Sequence, residues 1–367
     1  MNSAANKPAA KPLRVGIVGA NAERAWAHDA HIPALAAMPQ FTLAAVSART
    51  QPLADQAAAA FKAPRAFGDS LKLVRDPDID VVAVTVKVPE HRAIVLAVLE
   101  AGKHLYCEWP LGRDVAEAKE MADAAARAKS SHVIIGLQAL SAPAVRHAAK
   151  VVASGALGQP RMLRVFSPTA GWAAKAPPYY AYLQDKRNGA TMMAIAGGHT
   201  MAAMEAIIGP YTEVDARCSI FQKTVTLLGS KETVERTCPD HALVTGKHAS
   251  GCLSSLEIIG GQGSSPFRME LYCSGGKLNI TSQHDTLGGF QVNKLDCQVS
   301  IEAGPMPASA APALKGPPAN VAETYGLLEH DIREGKRTVP EFQLALRLQH
   351  LLDVIEKASD EGHRQRV

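Results

Sequence analysis

The stretch Leu13 to Leu35, LRVGIVGANAERAWAHDAHIPAL, restricts the fold more than any other part of the chain. Leu13 to Val18 is a short apolar, β-branched run in which Gly16 falls, Gly19 closes it, and apolar residues at helical spacing follow. Strand, tight turn and helix in that order bring backbone N–H groups and a helix N-terminus to one point, an arrangement suited to a phosphate. Against the pattern G-x-G-x-x-G, Gly19 takes the first position, Asn21 the second and Arg24 the third. Asparagine tolerates positive φ, so a turn survives at Asn21, whereas Arg24 forbids the close helix–strand packing that a third glycine permits. A wide turn is expected, with the helix beginning late or bending at Pro33. Taken alone the motif fits both a nucleotide-binding turn and an ordinary βα turn.

The alternation continues. Strands are predicted at Thr42 to Ser47, Asp80 to Val86, Lys103 to Cys107 and His132 to Leu137, with helices at Leu53 to Phe61, Pro89 to Ala101 and Val115 to Ala128 between them. Strands alternating with helices imply a doubly wound parallel Rossmann sheet with right-handed crossovers, whose ligands sit beyond the C-terminal strand ends. Those ends carry Gly19, Ser47, Thr85 to Lys87, Glu108 to Pro110, and Gln138. After the second strand, where a dinucleotide's ribose is read, Ser47 and Arg49 replace the acidic residue that a free 2′-hydroxyl would favour. The pair predicts NADP over NAD, unless Arg49 is simply a solvated surface residue.

Past residue 140 the pattern changes to strands in direct succession: Arg161 to Phe166, Glu213 to Phe221, Ala242 to Thr245, Gly251 to Ile259, Arg268 to Ser274 and Lys277 to Thr281. An open, mostly antiparallel sheet follows, with Gly275-Gly276 as a hairpin turn and helices near Ala142 to Ser154 and Met201 to Ile208 on one face. Its free face predicts a homodimer or homotetramer. After a loop from Gly304 to Pro318, helices near Asn320 to Glu334 and Pro340 to Ser359 close the chain, packing back toward the first domain. The expected division is a disordered tail at 1–12, a dinucleotide domain at 13–140 and an α/β substrate and oligomerisation domain at 141–367.

Composition narrows the function classes. In 367 residues, 47% hydrophobic content is ample for two cores. The net charge of +4 is mild and the basic residues are scattered, so nucleic acid is not expected as a ligand. No apolar leader region and no run of eighteen apolar residues occur, which predicts a cytoplasmic protein without a membrane span. The six cysteines lack C-x-x-C or finger spacing, so free thiols and no metal are expected.

The run AGKHLYCEWPLG, Ala101 to Gly112, resembles the A-G-K-x-V-x-x-E-K-P signature of the glucose–fructose oxidoreductase/inositol dehydrogenase/rhizopine-catabolism (Gfo/Idh/MocA) family, with Trp109 at the catalytic lysine position. That tryptophan, the opening segment, LQALSAP (Leu137 to Pro143), GGHT (Gly197 to Thr200) and CPDHALVTG (Cys238 to Gly246) together resemble its galactose-repressor-like branch. The resemblance runs from Leu13 to Gly362. It implies a nicotinamide cofactor, a small-molecule substrate, and a lysine and histidine flanking the substrate hydroxyl, with an aspartate one turn before the histidine. Here the histidine position is His199, and the aspartate position falls on Ala194 or Ile195, according to where one inserted residue is placed.

By resemblance Glu108 helps hold the nicotinamide ribose region, Trp109 offers a flat surface beside the nicotinamide, and His91 mainly secures its own turn. Lys87 is placed to supply an ammonium in lieu of the family lysine, and Tyr180, within KAPPYYAYLQDKRNG, to donate from its phenol. Each has a plainer reading, a surface lysine, loop packing, or, for His199, a buried histidine satisfying backbone groups. Two functions remain open. One is an NADP-dependent oxidoreductase acting on a cyclic alcohol or carbonyl, sugar-derived, with His199 as acid/base. The other is a galactose-repressor-like, nucleotide-dependent regulator with an inactive site and a protein partner.

Overall fold

The structure, a computed structural model, describes residues 10–282 and 289–367. Most of the expected N-terminal tail, residues 1–9, lies outside the described residues, and 10–12 belong to no helix or strand. The chain then alternates as its apolar periods dictate. β1 (Leu13–Val18) leads through a π-helical turn (Ala27–His31) into α1 (Ile32–Ala36). β2 (Phe41–Ser47), α2 (Gln51–Phe61), β3 (Ala66–Phe67), α3 (Ser70–Val74), β4 (Val81–Val84) and α4 (Val88–Glu100) follow. β5 (His104–Glu108), α5 (Val115–Arg127) and β6 (Val133–Gly136) complete a parallel sheet of strand order β3-β2-β1-β4-β5-β6. β3 and α3 have no counterpart in the sequence reading, because two and five residues are too short to show a hydrophobic period.

The second half contains α6 (Pro143–Ala153), β7 (Pro160–Pro168), β8 (Lys175–Ala176), α7 (Gly198–Ile208) and β9 (Tyr211–Ser219). β10 (Thr224–Leu227), β11 (Thr233–Glu235), β12 (His241–His248), β13 (Leu253–Ile259), β14 (Arg268–Cys273), β15 (Lys277–Ser282) and β16 (Leu295–Val299) come next. α8 (Pro317–Glu334), α9 (Phe342–Glu361) and β17 (Gln365–Arg366) end the chain. The large sheet has the order β16-β15-β14-β7-β13-β12-β9-β17, and its pairs are antiparallel except β7 with β13. β8, β10 and β11 form a separate small sheet, which the sequence reading lacks.

Alternation along the strands decides what each face meets. Leu163, Val165, Leu256, Ile258, Met269 and Leu271 are buried under the helices, and their neighbours point outward. On that outer face Leu253, Met162 and Tyr272 stand in one register row across β13, β7 and β14, and all three are exposed. α8 returns to the first sheet, where Tyr325, Leu328 and Val321 join Val15, Ile17 and Tyr106 in a buried cluster. No helix among the described residues is long and apolar enough to cross a membrane.

The N-terminal edge of the first sheet is tied by charge. The Asp80 carboxylate accepts from the Arg14 backbone N–H at 2.8 Å and from its guanidinium at 2.9 and 3.1 Å. Burial works against ionisation of Asp80, but the Arg14 hydrogen bonds and the charges of Arg14 and Lys103 outweigh it and hold the carboxyl below its ordinary value. A lowered folded pKa means that folding opposes protonation. Its contribution is complete above the unfolded carboxylate pKa of about 4 and is lost as the pH falls through the lower folded value. Urea melts between pH 2 and 6, values spanning that window, should show a shallower acid loss of stability for Asp80→Asn than for the parent. Parallel profiles would remove Asp80 from the acid response.

Candidate dinucleotide and substrate site

The turn after β1 is wide, as expected, but it is built differently from the sequence reading. Gly19 has φ +97°, and its N–H and that of Ala20 donate to the Ser47 carbonyl at 3.1 and 2.9 Å. A Cβ on Gly19 would stand 2.8 Å from Val86 Cγ1 and 3.0 Å from the Val86 backbone nitrogen. Asn21 does not take a positive φ. Its Oδ1 accepts from the Glu23 and Arg24 N–H groups at 3.0 and 3.2 Å, and Ala25 takes φ +80° in its place. The side-chain turn tightens the backbone without the left-handed residue that the glycine pattern requires.

Four residues expected at the cofactor have other work. Gly16 makes room for a neighbouring helix: a Cβ there would lie 2.7 Å from Leu73 of α3. Ser47 is fully buried with its hydroxyl on Ser70, 3.1 Å away, so only the exposed Arg49 of that pair is open to a phosphate. Thr85 donates its hydroxyl to the Val18 carbonyl at 2.8 Å. The His91 ring is enclosed between the carbonyls of Leu111 and Val86, at 3.2 and 3.1 Å, and burial lowers its pKa. Both ring nitrogens thus face backbone carbonyls of the surrounding turns.

Glu108 ends β5 with its carboxylate over Gly136 of β6, where a Cβ would come within 2.8 Å of it. Oε1 accepts from His31 at 2.9 Å, and no described residue donates to Oε2. Gln138, just past β6, is 1% exposed and its Oε1 has no partner among the described residues. Trp109 is not an open stacking surface. It is buried, and its indole N–H donates to the Ala194 carbonyl at 2.6 Å. Ala194 belongs to a π-helical turn (Met193–Gly197) directly before α7, so the inserted residue noted in the sequence is taken up as a π-turn rather than as a loop. The indole lies against Gly198, where a Cβ would be 2.6 Å from Nε1.

His199 follows in the first turn of α7, 3% exposed, its Nδ1 buried without a partner among the described residues. Burial alone pushes its pKa down to about 3. Lys87 is exposed at the N-terminus of α4, and its Nζ sits 4.7 Å from the centroid of the Tyr182 ring. Tyr180 is 43% exposed, edge-on to Tyr179, and partial burial raises its pKa. The structure thus brings Trp109 and His199 to the start of one helix, and leaves Lys87 and Tyr180 on the rim with the tyrosine loop.

That loop contains contacts the sequence reading missed. Arg24, at the third motif position, lies over the Tyr179 ring at 5.4 Å, so Arg24 and Lys87 both bridge from the first domain to the loop by cation–π contact. The loop is anchored behind by the buried Arg236, which donates to Gln184, Asp240 and the Ala173 carbonyl at 2.7 to 2.8 Å. An arginine followed four residues later by an aspartate was visible in the sequence. Its distant partners were not.

A family model described as an oxidoreductase family with an NAD-binding Rossmann fold matches residues 13–136, and one for the Gal80p C-terminal domain matches 143–282. The chain belongs to the Gfo/Idh/MocA oxidoreductase family, in its galactose-repressor-like branch. Within the family it is 30% identical to the galactose/lactose metabolism regulatory protein GAL80 of Kluyveromyces lactis, over 65% of this chain and 56% of that protein. It is 33% identical to the dehydrogenase aclE of Aspergillus oryzae, over 59% of this chain and 60% of that one. The matches therefore span less than two thirds of those relatives' lengths. In fold it is similar to a crystal structure of a super-repressor mutant of Saccharomyces cerevisiae Gal80p, at 20% identity and TM-score 0.84 over 98% of both chains.

The Trp109 position, where this member of the Gfo/Idh/MocA family departs from the Glu-Lys-Pro pattern, predicts a local packing cost. Gly198→Ala should destabilise the protein by about 1 to 3 kcal/mol in a urea melt, because the indole is fixed by its bond to Ala194 and cannot retreat. Combining it with Trp109→Leu should recover part of the loss. An unchanged melt for Gly198→Ala would contradict this seating.

Proposed function

We propose that the protein is a nicotinamide-dinucleotide-dependent oxidoreductase, preferring NADP, that acts on a cyclic, sugar-derived alcohol or the matching carbonyl. The observation that carries the reading is His199, a desolvated imidazole whose Nδ1 has no partner among the described residues, at the helix start beside Trp109. A buried polar atom left without a partner costs about 1 to 3 kcal/mol, so a ligand group that pairs with this nitrogen is favoured there. The residues present fit a dinucleotide: a wide turn after β1 shaped by Gly19 and the Asn21 side chain, Glu108 with one uncommitted oxygen, the unpartnered Gln138 Oε1, and the exposed Arg49 for a 2′-phosphate. When bound, the dinucleotide supplies hydride chemistry.

The chain's own groups then hold and move the proton. Neutral through the physiological range, His199 offers a lone pair that accepts the proton of a substrate hydroxyl. Tyr180, protonated near neutral pH as any phenol is, is a donor at the rim. Lys87 supplies positive charge near the mouth while its ammonium rests on Tyr182. A homo-oligomer formed through the row Leu253, Met162 and Tyr272 is part of the proposal, and a light-scattering mass of one chain would remove it.

A second reading, a nucleotide-dependent regulator with a protein partner, is favoured by one observation. Trp109 stands where an ammonium would lower the alcohol's pKa, its N–H is engaged with Ala194, and neither Ala194 nor Ile195 can ionise. Calorimetric titration of NADPH and NADH, followed by a screen of cyclic alcohols and ketones, separates the two. The oxidoreductase reading predicts NADPH binding about tenfold tighter than for Arg49→Ala, with NADH little affected, and turnover reduced about a hundredfold or more by His199→Ala. Tight NADPH binding with no turnover would favour the regulator, and binding of neither nucleotide would end both readings.

A further inference from the structure

Beneath the cofactor edge of the first sheet lies a buried polar chain drawn from three distant parts of the sequence. His31, in the π-helical turn before α1, donates from Nε2 to Glu108 Oε1 at 2.9 Å, and its Nδ1 is 2.8 Å from the Tyr325 hydroxyl of α8. His31 and Tyr325 are 0% exposed and Glu108 is 8% exposed. A carboxylate can only accept, so the imidazole hydrogen on that edge belongs to Nε2. The Tyr325 O–H has no other partner among the described residues, and donating to Nδ1 satisfies every hydrogen in the chain.

The two rings also pack edge-on, with centroids 5.7 Å apart, and Tyr106 closes around both at 5.0 Å. Gly136 supplies the floor beneath the carboxylate. Glu108 is therefore gripped through Oε1 and from below, with the buried Tyr106 ring beside it, while Oε2 has no hydrogen-bond donor within reach among the described residues.

We propose that His31 and Tyr325 are positioning residues for the dinucleotide. Tyr325 fixes the tautomer and orientation of His31, His31 fixes Glu108, and Glu108 then presents Oε2 to a ribose hydroxyl without having to be ordered when the ligand arrives. The inference rests on the dinucleotide reading above. It goes beyond that reading in making the closing helix α8, far from the motif turn, part of the nucleotide site. The imidazole has no role in proton transfer to the substrate, since both its nitrogens are engaged inside the protein.

The test is a double-mutant cycle read by NADPH calorimetry on the full chain, with melting temperature recorded for each variant. Tyr325→Phe keeps the ring packing and removes only the hydroxyl, so the fold should survive. It should weaken NADPH binding about three- to tenfold in the parent and have no further effect in a Glu108→Gln background, because the chain acts through that carboxylate. His31→Gln, which retains a donor for Glu108, should bind more tightly than His31→Ala. If Tyr325→Phe lowers the melting temperature but leaves NADPH affinity unchanged, or weakens binding equally in both backgrounds, its role is structural and the inference falls. If the parent binds no dinucleotide, the functional reading falls first and this inference falls with it.

Discussion

The hydrogen bond from the Trp109 indole to the Ala194 carbonyl organises the meeting of the two halves of the chain. Trp109 leaves the C-terminal end of β5, at the ligand edge of the first sheet, and reaches into the turn that begins α7 of the second. Its seat depends on three local features. The π-helical turn offers a carbonyl, Gly198 leaves room for the indole face, and the neighbouring side chains Ala194 and Ile195 are apolar. A buried indole needs a partner for its N–H, and a backbone carbonyl meets that need without a charge. Trp109 and the uncharged residues Ala194 and Ile195 therefore make this contact without an ionic group.

A lysine at the Trp109 position would bring positive charge to this point, and the indole brings none. Here His199 stands in a dry setting, and desolvation alone depresses its pKa. The cations near the mouth, Lys87 and Arg24, rest on phenol rings of the tyrosine loop rather than on carboxylates. The dinucleotide side of the cleft is built with more commitment. Gly19 and the Asn21 side-chain turn shape the backbone after β1, and Glu108 is held from below by Gly136 and from behind by His31.

Much of this was legible in the sequence where the signal is local. The five apolar runs from Leu13 to Leu137 carry their own period, and their alternation with helices specifies the parallel sheet. The strand succession after residue 160 did the same for the second sheet, down to the Gly275-Gly276 hairpin between β14 and β15. β3, α3, the small sheet of β8, β10 and β11, and the edge strands β16 and β17 of the large sheet were illegible because they are too short for a period and exist through their neighbours. At the site, glycine identity misled. Gly16 serves packing against Leu73, and Asn21 contributes a side chain rather than a backbone angle. Ser47 looked like a phosphate contact because it stands at a strand end, yet its side chain turns inward to Ser70. The His31–Tyr325 contact joins residues 294 positions apart, and no spacing rule reaches that far.

The central claim is that the cleft remains a dinucleotide site although Trp109 has replaced the family lysine. A crystal structure of the protein with NADPH tests it most directly. The dinucleotide is expected along the C-terminal edge of the first sheet, its 2′-phosphate near Arg49, a ribose hydroxyl on Glu108 Oε2, and the Trp109 indole still on the Ala194 carbonyl. A cleft without nucleotide at saturating NADPH, or nucleotide bound elsewhere, would contradict it.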